Sequence, residues 1–238
     1  MNMTLPTIQY PIIDLPIPSK GKTVKARPFT VKEEKLLLIA ATGKDQSEII
    51  QTTQQVIRNC LLEEVDVEAL PFFDIDLMFI TLRSKSISEK IEMEFRCKNR
   101  KEDGNNCGAV FPVSLDLTDT VLVKKEIESK IELAPNLGIK MKYPSYSEMK
   151  RVSSLNDELE LILACIVYIY TDTTIYTNKD YTKEQYREFV ENLTADQYSK
   201  LSEWTSNFPT FQINAEAKCP SCGFNHKIKY SDFTSFFQ

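Results

Sequence analysis

The feature that most constrains this chain is a pair of glycine-flanked cysteine turns. Cys219-Pro-Ser-Cys222 runs into Gly223, and Cys107 runs into Gly108, with Cys97 upstream across nine intervening residues. A two-residue gap lets both thiolates reach one tetrahedral ion from a tight turn, and the glycine supplies the backbone conformation that such a turn needs. Cys97 and Cys107 are more widely spaced, but they stand at the two bases of one polar loop, Lys98 to Asn106. A hairpin carrying that loop brings them together at its strand ends.

The flanking residues have the period of strands. Ile91, Met93, Phe95 and Cys97 alternate with Glu92, Glu94 and Arg96; Ala109, Phe111, Val113 and Leu115 alternate beyond Cys107. Phe211, Ile213, Ala215, Ala217 and Cys219 do the same, followed by Phe224, His226, Ile228 and Tyr230. Cys97, Cys107 and Cys219 fall in phase with the apolar faces of their strands, so two hairpins that meet bring four sulfurs to one place. Cys97, Cys107, Cys219 and Cys222 are therefore expected to bind one zinc ion in a zinc-ribbon-like site. Four thiolates leave no open position for water or substrate, so the ion is structural.

Three other arrangements compete with that one. Two disulfides need an oxidising compartment, and residues 1–18 carry four prolines with no leading basic region or small-residue cleavage pattern, so they do not read as a signal peptide. A redox dithiol at Cys219 and Cys222 needs a helix after the first cysteine, whereas the pattern there is a strand. Four unrelated thiols do not explain the shared glycine and hairpin contexts. His226, the chain's one histidine, lies close enough to Cys222 to be a replacement ligand. Cys60 and Cys165 lie inside apolar helical patterns and read as packing residues.

The remaining pattern is mixed. Residues 1–29 are punctuated by proline and form an extended arm or edge strands, turning at Pro18-Ser-Lys-Gly-Lys22. Residues 30–88 are helical: Thr30 and Glu33 have capping-box spacing and Gly43 is a stop, Asp45 and Glu48 open a second helix through Leu61, and a third runs from about Asp74 to Ser84. The acidic stretch 63–76 reads as a solvated loop with Asp74 and Asp76 at a helix N-terminus. Residues 89–144 are β-rich, with a second strand pair at Lys130–Leu133 and Ile139–Tyr143. Residues 145–208 are expected to be a helical insertion. Asn156 or Asp157 opens Glu158 to Tyr170, which reads as one buried helix, and Thr182 with Gln185 and Thr194 with Gln197 open two more. Residues 209–238 return to the second cysteine hairpin. The fold class is thus α+β, helices first, then antiparallel hairpins closed by the metal.

Several function classes fall away. The chain carries 29 Lys+Arg against 34 Asp+Glu, a formal charge of −5, so no global field recommends nucleic acid or an anionic membrane. The apolar run Leu159–Tyr170 is too short to cross a bilayer, which takes roughly 20 residues. With one histidine, no nucleophile motif and no phosphate-cradling glycine loop, no enzymatic activity is expected. The alternative from a different class is a zinc-ribbon nucleic-acid-binding adaptor, suggested by Arg96, Lys98, Arg100, Lys101, Lys218, Lys227 and Lys229 on the two hairpins. Glu102 and Asp103 interrupt the first of those clusters.

Three stretches together resemble the baseplate hub subunit family of T4-like contractile-tailed bacteriophages. They are Leu15-Pro-Ile-Pro-Ser-Lys-Gly-Lys22 leading into Arg27-Pro-Phe-Thr-Val-Lys-Glu-Glu-Lys35, then Asp74-Ile-Asp-Leu-Met-Phe-Ile-Thr-Leu-Arg-Ser-Lys-Ser86, and the cysteine hairpin from Cys97 to Cys107. The long spacing from Cys97 to Cys107 departs from a compact knuckle. The resemblance implies a non-enzymatic virion or tail-assembly protein of the baseplate, made in the host cytoplasm and working through contacts with other hub and tail proteins.

Overall fold

The computed structural model describes residues 8–43, 46–100, 104–124, 128–153 and 157–231. Asp45, Asn156, Lys101, Glu102 and Asp103, each given a place by the sequence pattern, lie outside the described residues. The fold is α+β, with seven α-helices and antiparallel sheets among the described residues. The chain divides into two compact units: Met1–Val67 with Asp74–Leu122 and Phe211–Gln238, and Glu68–Phe73 with Val123–Thr210.

In the first unit, strands β1 (Ile13–Ile17) and β2 (Lys22–Ala26) form a hairpin around a 3-10 turn at Pro18–Lys20. Gly21 closes that turn at φ +59°, its N–H donating to Pro18 O at 3.1 Å. Alternation buries Leu15, Ile17, Val24 and Ala26 on one face. Helices α1 (Val31–Gly43) and α2 (Gln46–Cys60) pack on each other. The hairpin is tied to the end of α2 by Arg27 N–H to Cys60 O at 2.9 Å and Leu62 N–H to Lys25 O at 2.9 Å.

Glu33 reaches back to the Thr30 N–H at 2.8 Å, as the capping-box spacing predicts, but the Thr30 hydroxyl donates to the same carboxylate. Glu33 also holds Arg27 Nη2 at 2.9 Å. Burial alone would raise the Glu33 carboxyl; the Arg27 hydrogen bond, with those from Thr30, brings it down from 4.5 to about 2.

Helix α3 (Phe72–Ser86) starts ahead of the expected Asp74, so Asp74 lies inside the first turn. It is fully buried and accepts from the Ser19 N–H at 3.0 Å and from the Ser19 hydroxyl. That partner is 55 positions away, which is why the local pattern placed Asp74 on a solvated terminus. Asp76 is half-buried, and burial pushes its carboxyl up to about 8. Ile75, Met78, Phe79, Ile80 and Leu82 are buried along α3.

Strands β3 (Lys90–Arg96) and β4 (Val110–Asp116) pair antiparallel from Lys90↔Asp116 to Arg96↔Val110. A 3-10 turn at Leu117–Asp119 leads to β5 (Val121–Val123). Ile91, Phe111, Val113 and Leu115 face the core of this unit.

In the second unit, β6 (Lys130–Ala134) and β7 (Leu137–Met141) form the expected strand pair around Asn136 at φ +68°. Helices α4 (Tyr146–Ser153) and α5 (Glu158–Cys165) follow. The helix expected to run to Tyr170 stops at Cys165. Ile166-Val-Tyr-Ile-Tyr-Thr171 is instead strand β8, which lies between β7 and β9 (Ile175–Thr177) in a four-stranded sheet ordered β6-β7-β8-β9. β-Branched and aromatic residues suit a pleated surface, and a neighbouring β7 supplies the ladder that a local reading cannot see. The expected helical insertion thus carries two strands.

Helices α6 (Lys183–Glu191) and α7 (Ala195–Thr205) open on complete capping boxes, Thr182 with Gln185 and Thr194 with Gln197. The core joins Ile139, Met141 and Ile169 of the sheet to Ile162, Tyr186, Leu201 and Trp204 of the helices.

Strands β10 (Thr210–Lys218) and β11 (Asn225–Tyr230) form the second cysteine hairpin, in register from Ile213↔Tyr230 to Lys218↔Asn225, with β5 on the other side of β10.

Candidate metal centre

All four cysteines of the two turns lie in the first unit, and their sulfurs lie within 4.8 Å of one another. Two facts of local structure put them there. At the end of β3, the Cys97 N–H donates to Ala109 O at 2.8 Å and Cys97 O accepts from Gly108 N–H at 3.2 Å; Cys107 N–H bonds to Asn99 O at 2.8 Å. The second turn repeats the plan: Cys219 N–H donates to Phe224 O and Gly223 N–H to Cys219 O, both at 2.9 Å. Gly108 and Gly223 sit at φ +66° and +71°, a conformation that disfavours a Cβ.

The sulfur geometry suits a tetrahedral ion. Cys97 Sγ lies 3.6 Å from Cys222 Sγ, and Cys107 Sγ lies 3.8 Å from Cys219 Sγ. A tetrahedron of Zn–S bonds of about 2.3 Å has S···S edges of about 3.8 Å. None of the six cysteines is in a disulfide. Each close pair joins the two hairpins, linking positions 125 and 112 residues apart.

Backbone amides are aimed at three of the sulfurs. The Phe224 N–H holds the Cys222 thiol down at about 6, with Asn99 Nδ2 a further donor at 3.6 Å. The Ala109 N–H lowers Cys107. Burial pushes the Cys97 thiol up to about 12, against the pull of the Asn99 N–H. Four adjacent thiols cannot all ionise alone, but a divalent cation deprotonates its thiol ligands outright. The donor set therefore fits a soft, tetrahedral metal ion with no open coordination position.

His226 stands at the edge of this cluster and outside the set of four. Its Nε2 is 3.1 Å from Cys97 Sγ, and its ring, 8% exposed, packs against Phe224, Phe95 and Phe111 at centroid distances of 4.9, 5.0 and 6.4 Å. The sequence pattern does not place Asn99 or the three phenylalanines beside the cluster. Phe95, Phe111 and Phe224 carried a core-facing alternation, whereas nothing local marked Asn99.

Cys60 and Cys165 are buried and outside the set of four, and burial pushes their thiols up to about 11 and about 12. Two of the basic side chains on the first hairpin bond to its own loop, Arg96 to Gly108 O at 3.3 Å and Arg100 to Gly104 O at 2.9 Å, and Lys227 is in register with Glu216 across the second. An open cavity of about 500 Å³ in the second unit is lined by Tyr176, Tyr181, Tyr186 and Phe189, with Glu188 the one carboxylate on its wall. Among the described residues, no helix is long and apolar enough to cross a membrane.

A family model described as T4 bacteriophage base plate protein matches residues 10–238 of the chain. No curated protein and no solved structure gives a significant match.

Proposed function

The chain belongs to the T4 bacteriophage base plate protein family, and from that premise we propose that it is a non-catalytic structural or assembly protein of a contractile-tail baseplate hub. Family membership supports a place in the phage tail and contacts with other tail proteins. In this role the chain carries one structural zinc on Cys97, Cys107, Cys219 and Cys222, and its partners are hub and tail proteins met first in the host cytoplasm. The observation that carries it is the convergence of four sulfurs, from two hairpins remote in sequence, to within 4.8 Å.

A metal joining such distant segments contributes directly to folding, since structural zinc binding reaches about 10–16 kcal/mol in small peptides. In this role the ion makes two hairpins into one rigid block whose outer faces are available to neighbouring subunits.

The test is genetic and structural together. A phage lacking this gene is complemented with the wild-type chain or with Cys219→Ser, and the particles are imaged by electron cryo-microscopy. Wild-type complementation is expected to restore assembled tails, with the protein in the hub or required for the hub to form, and Cys219→Ser to fail. Normal tails without the gene would refute the assembly role; normal tails with a metal-free Cys219→Ser protein would refute the structural role of the ion.

A further inference from the structure

The approach of His226 to the cluster is not explained by packing alone. Its ring is enclosed by Phe95, Phe111 and Phe224, and Nε2 is turned to Cys97 Sγ at 3.1 Å. Cys97 is 2% exposed, so water has almost no access with which to share its charge. A thiolate bound to a metal only accepts hydrogen bonds, and a neutral imidazole has one N–H to give. Opposite a thiolate, that proton belongs on Nε2.

We propose that His226 is the outer partner of the metal centre: its Nε2–H donates to the Cys97 thiolate and holds that sulfur on the ion, while His226 itself stays unligated. The inference rests on the zinc reading above. It assigns the histidine a positioning role of the kind that second-layer hydrogen bonds play elsewhere, drawing negative charge from a site that carries four thiolates on one divalent ion. His226 is 8% exposed and Cys97 2%, so water hardly reaches the bond between them, which strengthens it, and the packed rings fix the imidazole's orientation.

The test uses the full chain in wild-type form and as His226→Phe and His226→Gln. Phenylalanine keeps the ring volume and removes the donor; glutamine keeps an N–H near the same place. Zinc content and the rate of zinc release to a chromogenic chelator are measured for all three. His226→Phe is expected to bind one zinc and release it about 10–100-fold faster, with His226→Gln closer to wild type.

The wild-type protein loaded with cadmium-113 and labelled with nitrogen-15 at histidine gives a second readout that does not depend on any variant folding. A protonated Nε2 with a small coupling transmitted through sulfur is expected. A direct metal–nitrogen coupling, or unchanged release from His226→Phe with four sulfurs still bound, overturns the role of His226 alone. Wild-type protein that binds no metal overturns both the zinc reading and this one.

Discussion

At the scale of single residues, the six cysteines divide by what surrounds them. Cys60 and Cys165 are buried, and that burial pushes their thiols up even though Arg27 Nη1 lies 3.8 Å from Cys60 Sγ, whereas the other four face one another across a gap the size of an ion. In the metal-loaded native protein at pH 8, alkylation is expected to modify none of the six. Adding a chelator should expose four, with Cys60 and Cys165 reacting only on unfolding, as peptide mass spectrometry would show. Glu33 gives a separate test. Its carboxyl is held at about 2 in the folded chain against an ordinary 4.5, so its contribution is complete above pH 4.5 and is lost as pH falls through about 2. Glu33→Gln is expected to cost about 2–3 kcal/mol at pH 7 and to flatten the acid limb of a denaturation profile. Wild-type and variant curves that differ equally at pH 7 and pH 2 would contradict the linkage.

At the scale of elements, local signals were sufficient where the structure is local. The boxes at Thr182 and Thr194 form as their spacing predicts, and Thr194→Ala is expected to lower stability by about 1 kcal/mol in a chemical melt. Gly138 is a tighter constraint: a Cβ there would overlap Tyr170 Oη and lie 2.8 Å from Ile131 O, so Gly138→Ala should cost about 1–3 kcal/mol and disturb the pairing of β7 with its neighbours. The cysteine hairpins were legible because strand alternation and the flanking glycines carry their own register. Strand β8 was not, since an apolar run of that length suits a buried helix or a buried strand equally and only its partner β7 decides. The burial of Asp74 under Ser19 and the place of Asn99 beside Cys222 escaped for the same reason, each depending on a residue far along the chain.

At the scale of the whole molecule, the first unit is assembled from three separate stretches of chain, and the four cysteines draw on two of them. The second unit has a core of its own, made by the β6–β9 sheet with α5, α6 and α7. Metal removal is therefore expected to act unequally. Hydrogen exchange after chelation should show lost protection in β3, β4, β10 and β11, with protection in β7, β8 and α5 largely kept. Uniform loss across both units would argue against a metal role confined to the first. The most direct measurement is X-ray absorption at the zinc edge on the purified chain, with metal content determined in parallel. One zinc per chain ringed by four sulfur neighbours at about 2.3 Å is the predicted result. A chain without stoichiometric zinc, or zinc bound through nitrogen or oxygen in place of any of the four sulfurs, would contradict it.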